Sequence, residues 1–181
     1  MRYMDNSNVF YDSTKYGSNI LSKESILDIL DRLNKELSNR GEVLDITIYG
    51  GSSLCLLTSF RDSTYDIDTL SSDNKLLKDC LISIGITGDL VNTDIDAFIN
   101  KVEDLQVYKK YSNLTVNVPT LEYLVALKCR SARSKDLNDL RHLCKILDVK
   151  DLNDLKSIFI RYYSPIMFND RRIRVLKEIF K

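Results

Sequence analysis

The chain has 181 residues, 44% hydrophobic and 29% charged, which excludes a disordered or fibrous protein and allows one domain with a small appendage. No apolar run approaches the roughly 20 residues that span a bilayer. The polar start MRYMDNSNVFYDS lacks a signal peptide's apolar core, so a cytoplasmic setting with no membrane partner is expected. Net charge is zero but uneven: residues 1–104 carry 10 Lys/Arg against 18 Asp/Glu, and residues 105–181 carry 16 against 8. Such halves suit a protein that holds a cation on one side and a polyanion on the other, or they simply neutralise each other. Cys55, Cys80, Cys129 and Cys144 form no C-x-x-C pair and lie in apolar stretches, as small hydrophobes of a reduced protein do.

Residues 1–20, polar and without a period, read as a partly ordered arm. Ser25-x-x-Asp28 has the form of a capping box, and Ile26, Leu30, Leu33 and Leu37 recur at helical spacing until Gly41 ends the helix. Leu44, Ile46 and Ile48 then alternate with Asp45, Thr47 and Tyr49, predicting a strand with one buried face. Gly50–Gly51 breaks that strand, and SSLCLLTSF predicts a short apolar helix. A second strand is expected over Thr64–Leu70, a helix over Asn74–Ile84 ended by Gly85, and a weaker helix near Asp94–Lys101. Short strands are expected at Leu105–Lys109 and Leu114–Val118, followed after Pro119 by helices over Thr120–Arg133, Asp136–Leu147, Leu152–Tyr163 and Arg171–Phe180. This order predicts an α+β (or α/β) fold: a mixed sheet flanked by helices in a core over residues 21–119, with a helical C-terminal region over 120–181 packed on it.

The chemistry concentrates in ITIYGGSSLCLLTSFRDSTYDIDTL. Asp66 and Asp68, two apart in an expected strand, leave one face together while Ile67 points into the core. Two adjacent carboxylates repel, and a hard divalent cation such as Mg²⁺ removes that cost. The strand ending in Gly50, Gly51 and Ser52 and opening into a helix has the form of a phosphate cradle. Glycine lets the backbone approach a ligand, helix N-terminal N–H groups face an anion, and Ser52 or Ser53 can cap the helix or donate to phosphate. An ordinary tight turn with a serine cap reads the same way.

Farther on, Leu121, Leu124, Val125, Lys128 and Ala132 share a helical stripe, which places Lys128 on an apolar face. A buried lysine needs an anion. A triphosphate would serve, as would Asp136 or Asp139, or its stem can snorkel to water. Asp136-x-x-Asp139 also fits plain helix capping and dipole complementation. Arg61 can reach phosphate or pair with a neighbouring acid. His142, the only histidine, reads as a surface or half-buried residue, and Arg171, Arg172, Arg174 and Lys177 form a basic last helix that can contact RNA phosphates or stay solvated.

Gly50, Gly51, Ser52, Arg61, Thr64, Asp66, Ile67 and Asp68 together resemble the "GG, small residue, apolar helix, R-x-T-x-D-I-D" signature of the nucleotidyltransferase superfamily that includes DNA polymerase beta, with Arg61 one residue farther from Thr64 than in that pattern. The likeness is greatest to its small prokaryotic members, some related to abortive-infection toxins of toxin–antitoxin pairs. A second family pattern, "L-x-A-x-K-x-x-A-x-R-x-K-D-x-x-D", is matched by Lys128, Arg133, Lys135, Asp136 and Asp139, with Ala132 one position after the pattern's second alanine. The resemblance implies a nucleotidyltransferase-like mixed sheet and transfer of a nucleoside monophosphate from a nucleoside triphosphate to an RNA end or a protein hydroxyl. It implies one or two Mg²⁺ ions on Asp66 and Asp68, and the nucleotide held by Gly50, Gly51, Ser52, Arg61 and Lys128. An antitoxin partner follows from the same likeness, while the basic C-terminal half favours RNA as the acceptor. One departure stands out: many relatives carry a third carboxylate on a later strand, where LTVNVP offers Asn117. A non-catalytic nucleotide- or partner-binding module that keeps the fold is the alternative.

Overall fold

The structure is a computed structural model that describes residues 20–86, 90–95, 99 and 104–181. The N-terminal arm, apart from Ile20, and most of the helix expected over 94–101 lie outside the described residues.

Helix α1 (Lys23–Arg40) begins three residues before the expected box, because Ser22 is the cap. Ser22 has extended backbone and its hydroxyl accepts from the Ser25 N–H, so Ser25 sits inside the first turn. The helix buries Ile26, Ile29, Leu30, Leu33 and Leu37 on one face, at roughly 1.5–3 kcal/mol gross for each large aliphatic side chain. Gly41 closes it at φ 68°, as expected, with its N–H returned to the Leu37 and Ser38 carbonyls.

Strand β2 (Leu44–Tyr49) runs as predicted, with Leu44, Ile46 and Ile48 buried. Helix α2 (Gly50–Leu57) starts on the glycine pair itself and stops before Thr58–Phe60, so it lies two to three residues upstream of the expected helix. The strand expected over Thr64–Leu70 is broken. Ser63–Thr64 (β3) pairs antiparallel with Leu21–Ser22 (β1) in a separate ribbon. The chain then bends at exposed Tyr65, and β4 (Ile67–Ser71) begins afresh. Helix α3 (Asn74–Ser83), capped by Asp73, leads to the short strand β5 (Val91–Asn92), which sequence periodicity did not predict. Strands β6 (Leu105–Lys110) and β7 (Leu114–Pro119) match expectation within a residue.

The main sheet has the order β5-β4-β2-β7-β6 and is mixed. β2 lies antiparallel to β4 and parallel to β7, β4 parallel to β5, and β6 antiparallel to β7. One core joins this sheet to α1 and α3 through Ile46, Ile48, Ile67, Val116 and Val118. A second core joins Tyr49 and Leu54 to the C-terminal helices α4 (Leu121–Ser131), α5 (Leu137–Ile146), α6 (Leu152–Tyr162) and α7 (Asp170–Leu176). The expected last helix finishes as a 3₁₀ turn over Lys177–Phe180. The result is the α+β architecture expected from the order of elements, with helices on both sides of a mixed sheet. All four cysteines are free and buried, and no helix among the described residues is long and apolar enough to cross a membrane.

Candidate functional site

Residues opposite one another on paired strands share a face of the sheet. Asp68 on β4 faces Tyr49, the last residue of β2, and Asn92 on β5. It therefore stands where β2 hands over to α2. A Cβ placed on Gly50 would lie 2.6 Å from Asp68 Oδ2, and one on Gly51 would lie 2.6 Å from Thr64 Oγ1 and 2.8 Å from Arg61 Nη2. The glycines thus admit the protein's own Asp68, Thr64 and Arg61 against the turn. Sequence reasoning had given that close approach to a ligand. Gly50 also has φ 64°, a backbone state that most residues resist.

Asp66 and Asp68 interact electrostatically, but they do not sit together in one strand. Asp66 is exposed in the bend before β4, and Asp68 is half-buried within it. Burial pushes the Asp68 carboxyl above its ordinary value, and the charge of Asp66 pushes it the same way; the Asn92 hydrogen bond and the charges of Arg133 and Lys135 oppose them. Asn92 Nδ2 donates to Asp68 Oδ1 at 3.0 Å, while Asn92 Oδ1 accepts from the Asp94 N–H at 3.1 Å. Asn92 is a site residue that sequence reasoning missed, since a two-residue strand leaves no periodic signal.

Ser52 and Ser53 are fully buried and cap nothing: Ser52 Oγ donates to the Tyr49 carbonyl at 2.9 Å, and Ser53 Oγ to the Gly50 carbonyl at 2.9 Å. Their hydroxyls brace the turn from within. The first-turn N–H groups of α2 have no partner inside the helix, and of residues 50–53 only Gly50 and Gly51 keep partial exposure.

Lys128 lies on the buried stripe as its spacing predicts, and its anions are in the chain: Asp139 Oδ2 at 2.7 Å and Asp136 Oδ1 at 3.2 Å. Asp139 also pairs with Arg61 Nη1. Asp136 accepts from Arg133 Nε at 2.8 Å and Ser131 Oγ at 2.7 Å. Of the readings open for these acids, pairing with Lys128 is the one observed; the Asp136 side chain makes no cap bond, while Asp139 lies in the first turn of α5. Burial alone would raise Asp136, but the Arg133 hydrogen bond, the Lys128 charge and the Ser131 hydroxyl outweigh it and hold the carboxyl at about 2.

Asn117 shares a face with Thr47, one row along the sheet from Asp68, and its Nδ2 donates to the Ile46 carbonyl at 3.4 Å. Among the described residues no third Asp, Glu, His or Cys joins Asp66 and Asp68 in a metal-sized group. Two carboxylates still fit Mg²⁺, which is commonly bound through one or two carboxylates with water and substrate phosphates completing its shell. His142, as expected, is half-buried and stacks on Phe60 with ring centroids 4.7 Å apart.

The sequence profile of a family described as "Nucleotidyltransferase of unknown function (DUF6036)" matches residues 24–181, which take in the glycine turn, both acids and the ion-pair network. No curated protein and no solved structure matches the chain significantly. The chain belongs to this nucleotidyltransferase family.

Proposed function

We propose that this member of the nucleotidyltransferase family moves a nucleoside monophosphate from a nucleoside triphosphate to an acceptor hydroxyl, with Mg²⁺ held by Asp66 and Asp68. The observation that carries the reading is Asp68 itself: a half-buried carboxylate pressed on Gly50, beside a second acid, with its proton affinity raised. Such a pair is costly alone and favourable around a hard cation. The substrate phosphates lie over Gly50–Ser52, close to the N–H groups of the first turn of α2, with Arg61 beside Gly51.

In the reaction the acceptor hydroxyl oxygen bonds the α-phosphorus and releases its proton to solvent, while the bond from that phosphorus to the bridging oxygen breaks and pyrophosphate leaves. One or two bound Mg²⁺ ions supply charge neutralisation at the α-phosphate and a lower pKa for the attacking hydroxyl. The chain's own residues do the positioning: Asn92 fixes the rotation of Asp68, Gly50 lets it close on the turn, and Arg61 offsets phosphate charge.

The acceptor class we favour is an RNA end, with a protein hydroxyl second. Arg171, Arg174 and Lys177 are exposed at the C-terminal end and available to phosphates, whereas Arg172 is spent on the Arg130 and Met167 carbonyls. A toxin-type role with an antitoxin partner in the cytoplasm is the biological setting that the motif likeness suggests. The test is incubation with each α-labelled triphosphate, Mg²⁺ and total cellular RNA or protein. Transfer of label that Asp68→Asn abolishes supports the reading; folded protein that transfers none from any donor overturns it.

Asn117, on the strand where many relatives carry a third carboxylate, favours a second reading: a nucleotide-binding module without catalysis. Calorimetry separates the two, since the module predicts triphosphate binding that is indifferent to Mg²⁺.

A further inference from the structure

Five ionised side chains form one alternating series, Arg61–Asp139–Lys128–Asp136–Arg133. Its middle is sealed, with Lys128, Asp136 and Asp139 at 7%, 3% and 4% exposure. Its ends are open, the Arg61 side chain at 27% and that of Arg133 at 58%. Three cations on two anions leave one positive charge over, and it is expressed where the series meets solvent.

One end rests on Gly51. The other lies in the connection from α4 to α5, where Ala132 adopts φ 44° and turns the chain so that Arg133 and Lys135 stand exposed. Both act electrostatically on Asp68, and Arg133 also on Asp66. The clamp on Asp136 uses Nε and Nη2 of Arg133. A guanidinium has five N–H donors, so three are not committed to that carboxylate.

We propose that Arg133 and Lys135 bind the β- and γ-phosphates of the triphosphate, while Lys128 with Asp136 and Asp139 is a positioning core that holds Arg133 and Arg61 at the two ends of the phosphate chain. This rests on the nucleotidyltransferase reading and moves the phosphate contact away from Lys128, the residue to which sequence reasoning gave it. For Lys128 to reach a ligand it would have to abandon two buried carboxylates, which is strongly unfavourable. Arg133 and Lys135 exchange only water for phosphate and gain charge-assisted hydrogen bonds.

The probe is inorganic tripolyphosphate, which removes any dependence on the base, titrated calorimetrically into the full chain with Mg²⁺. Lys135→Met weakens binding about tenfold with an unchanged melting temperature, and Lys135→Arg restores it. Arg133→Gln weakens binding at least as much and also lowers the melting temperature, because Asp136 loses its clamp. Wild-type affinity in both Lys135→Met and Arg133→Gln would overturn the phosphate assignment and leave the nucleotidyltransferase reading standing. A wild-type chain that binds no tripolyphosphate with Mg²⁺ would instead overturn that reading, and this inference with it.

Discussion

Asp136 and Asp68 both feel the charge of Arg133 and are perturbed in opposite directions. Asp136 is the more deeply buried, yet its carboxyl is held near 2 by Arg133, Lys128 and Ser131. Asp68 has more access to water, yet burial and Asp66 drive it upward against the hydrogen bond from the Asn92 amide. The difference lies in whether the chain supplies the countercharge. The ion-pair network is complete within the protein and therefore builds structure; in the function we propose, the acid pair on the glycine turn takes its countercharge from a bound cation.

Breaking the complete region has the largest effect. Lys128→Met leaves two carboxylates buried without their shared cation and destabilises the protein by about 3–5 kcal/mol in denaturant unfolding. A loss below about 1 kcal/mol would mean the network is weakly coupled to folding. Acid titration is the next largest. The folded Asp136 carboxyl sits at about 2, below its unfolded value of 3.8, so its stabilisation is fully present above about pH 4 and fades toward pH 2. That contribution is about 2 kcal/mol. Asp136→Asn removes this segment of the stability–pH curve, and an unchanged curve would refute the assignment.

Gly50→Ala costs roughly 1–2 kcal/mol for the left-handed backbone, and in addition drives a Cβ into Asp68. Gly41→Ala is the matched control, since φ is 68° there and nothing lies within 4 Å of the added Cβ. Both lower stability, but only Gly50→Ala impairs Mg²⁺ binding; equal binding in the two variants would separate Asp68 from the cation site. The smallest effect sharpens the comparison by its sign. Because the folded Asp68 carboxyl titrates above its unfolded value, ionising it opposes folding at neutral pH. Asp68→Asn keeps an acceptor for Asn92 and raises the melting temperature at neutral pH, with the gain vanishing in acid. A fall in melting temperature at neutral pH would contradict this.

What was legible in the sequence follows from range. Helix α1, strand β2 and the sheet's buried alternation repeat often enough to be read, and Gly41 and Gly85 mark real ends. The acid pair and glycine turn were legible because their residue types are unusual at that spacing. The break between Thr64 and Ile67 was not, since it depends on Thr64 pairing with Leu21 across 43 positions. Nor was the partner of Lys128 decidable. Its stripe position showed that an anion was needed, but only the fold of α4 against α5 shows that Asp136 and Asp139 supply it. Ser52 misled for a related reason: a serine after a glycine pair reads as a cap, and its inward hydroxyl depends on α2 starting at Gly50.

The central claim is that Asp68 and Asp66 hold a cation for phosphoryl chemistry. Its most direct test is a calorimetric titration of Mg²⁺ into the full chain with a nucleoside triphosphate present, for wild type and Asp68→Asn at neutral pH. The account predicts saturable binding in wild type and none in the better-folded Asp68→Asn variant; equal binding by the two proteins would contradict it.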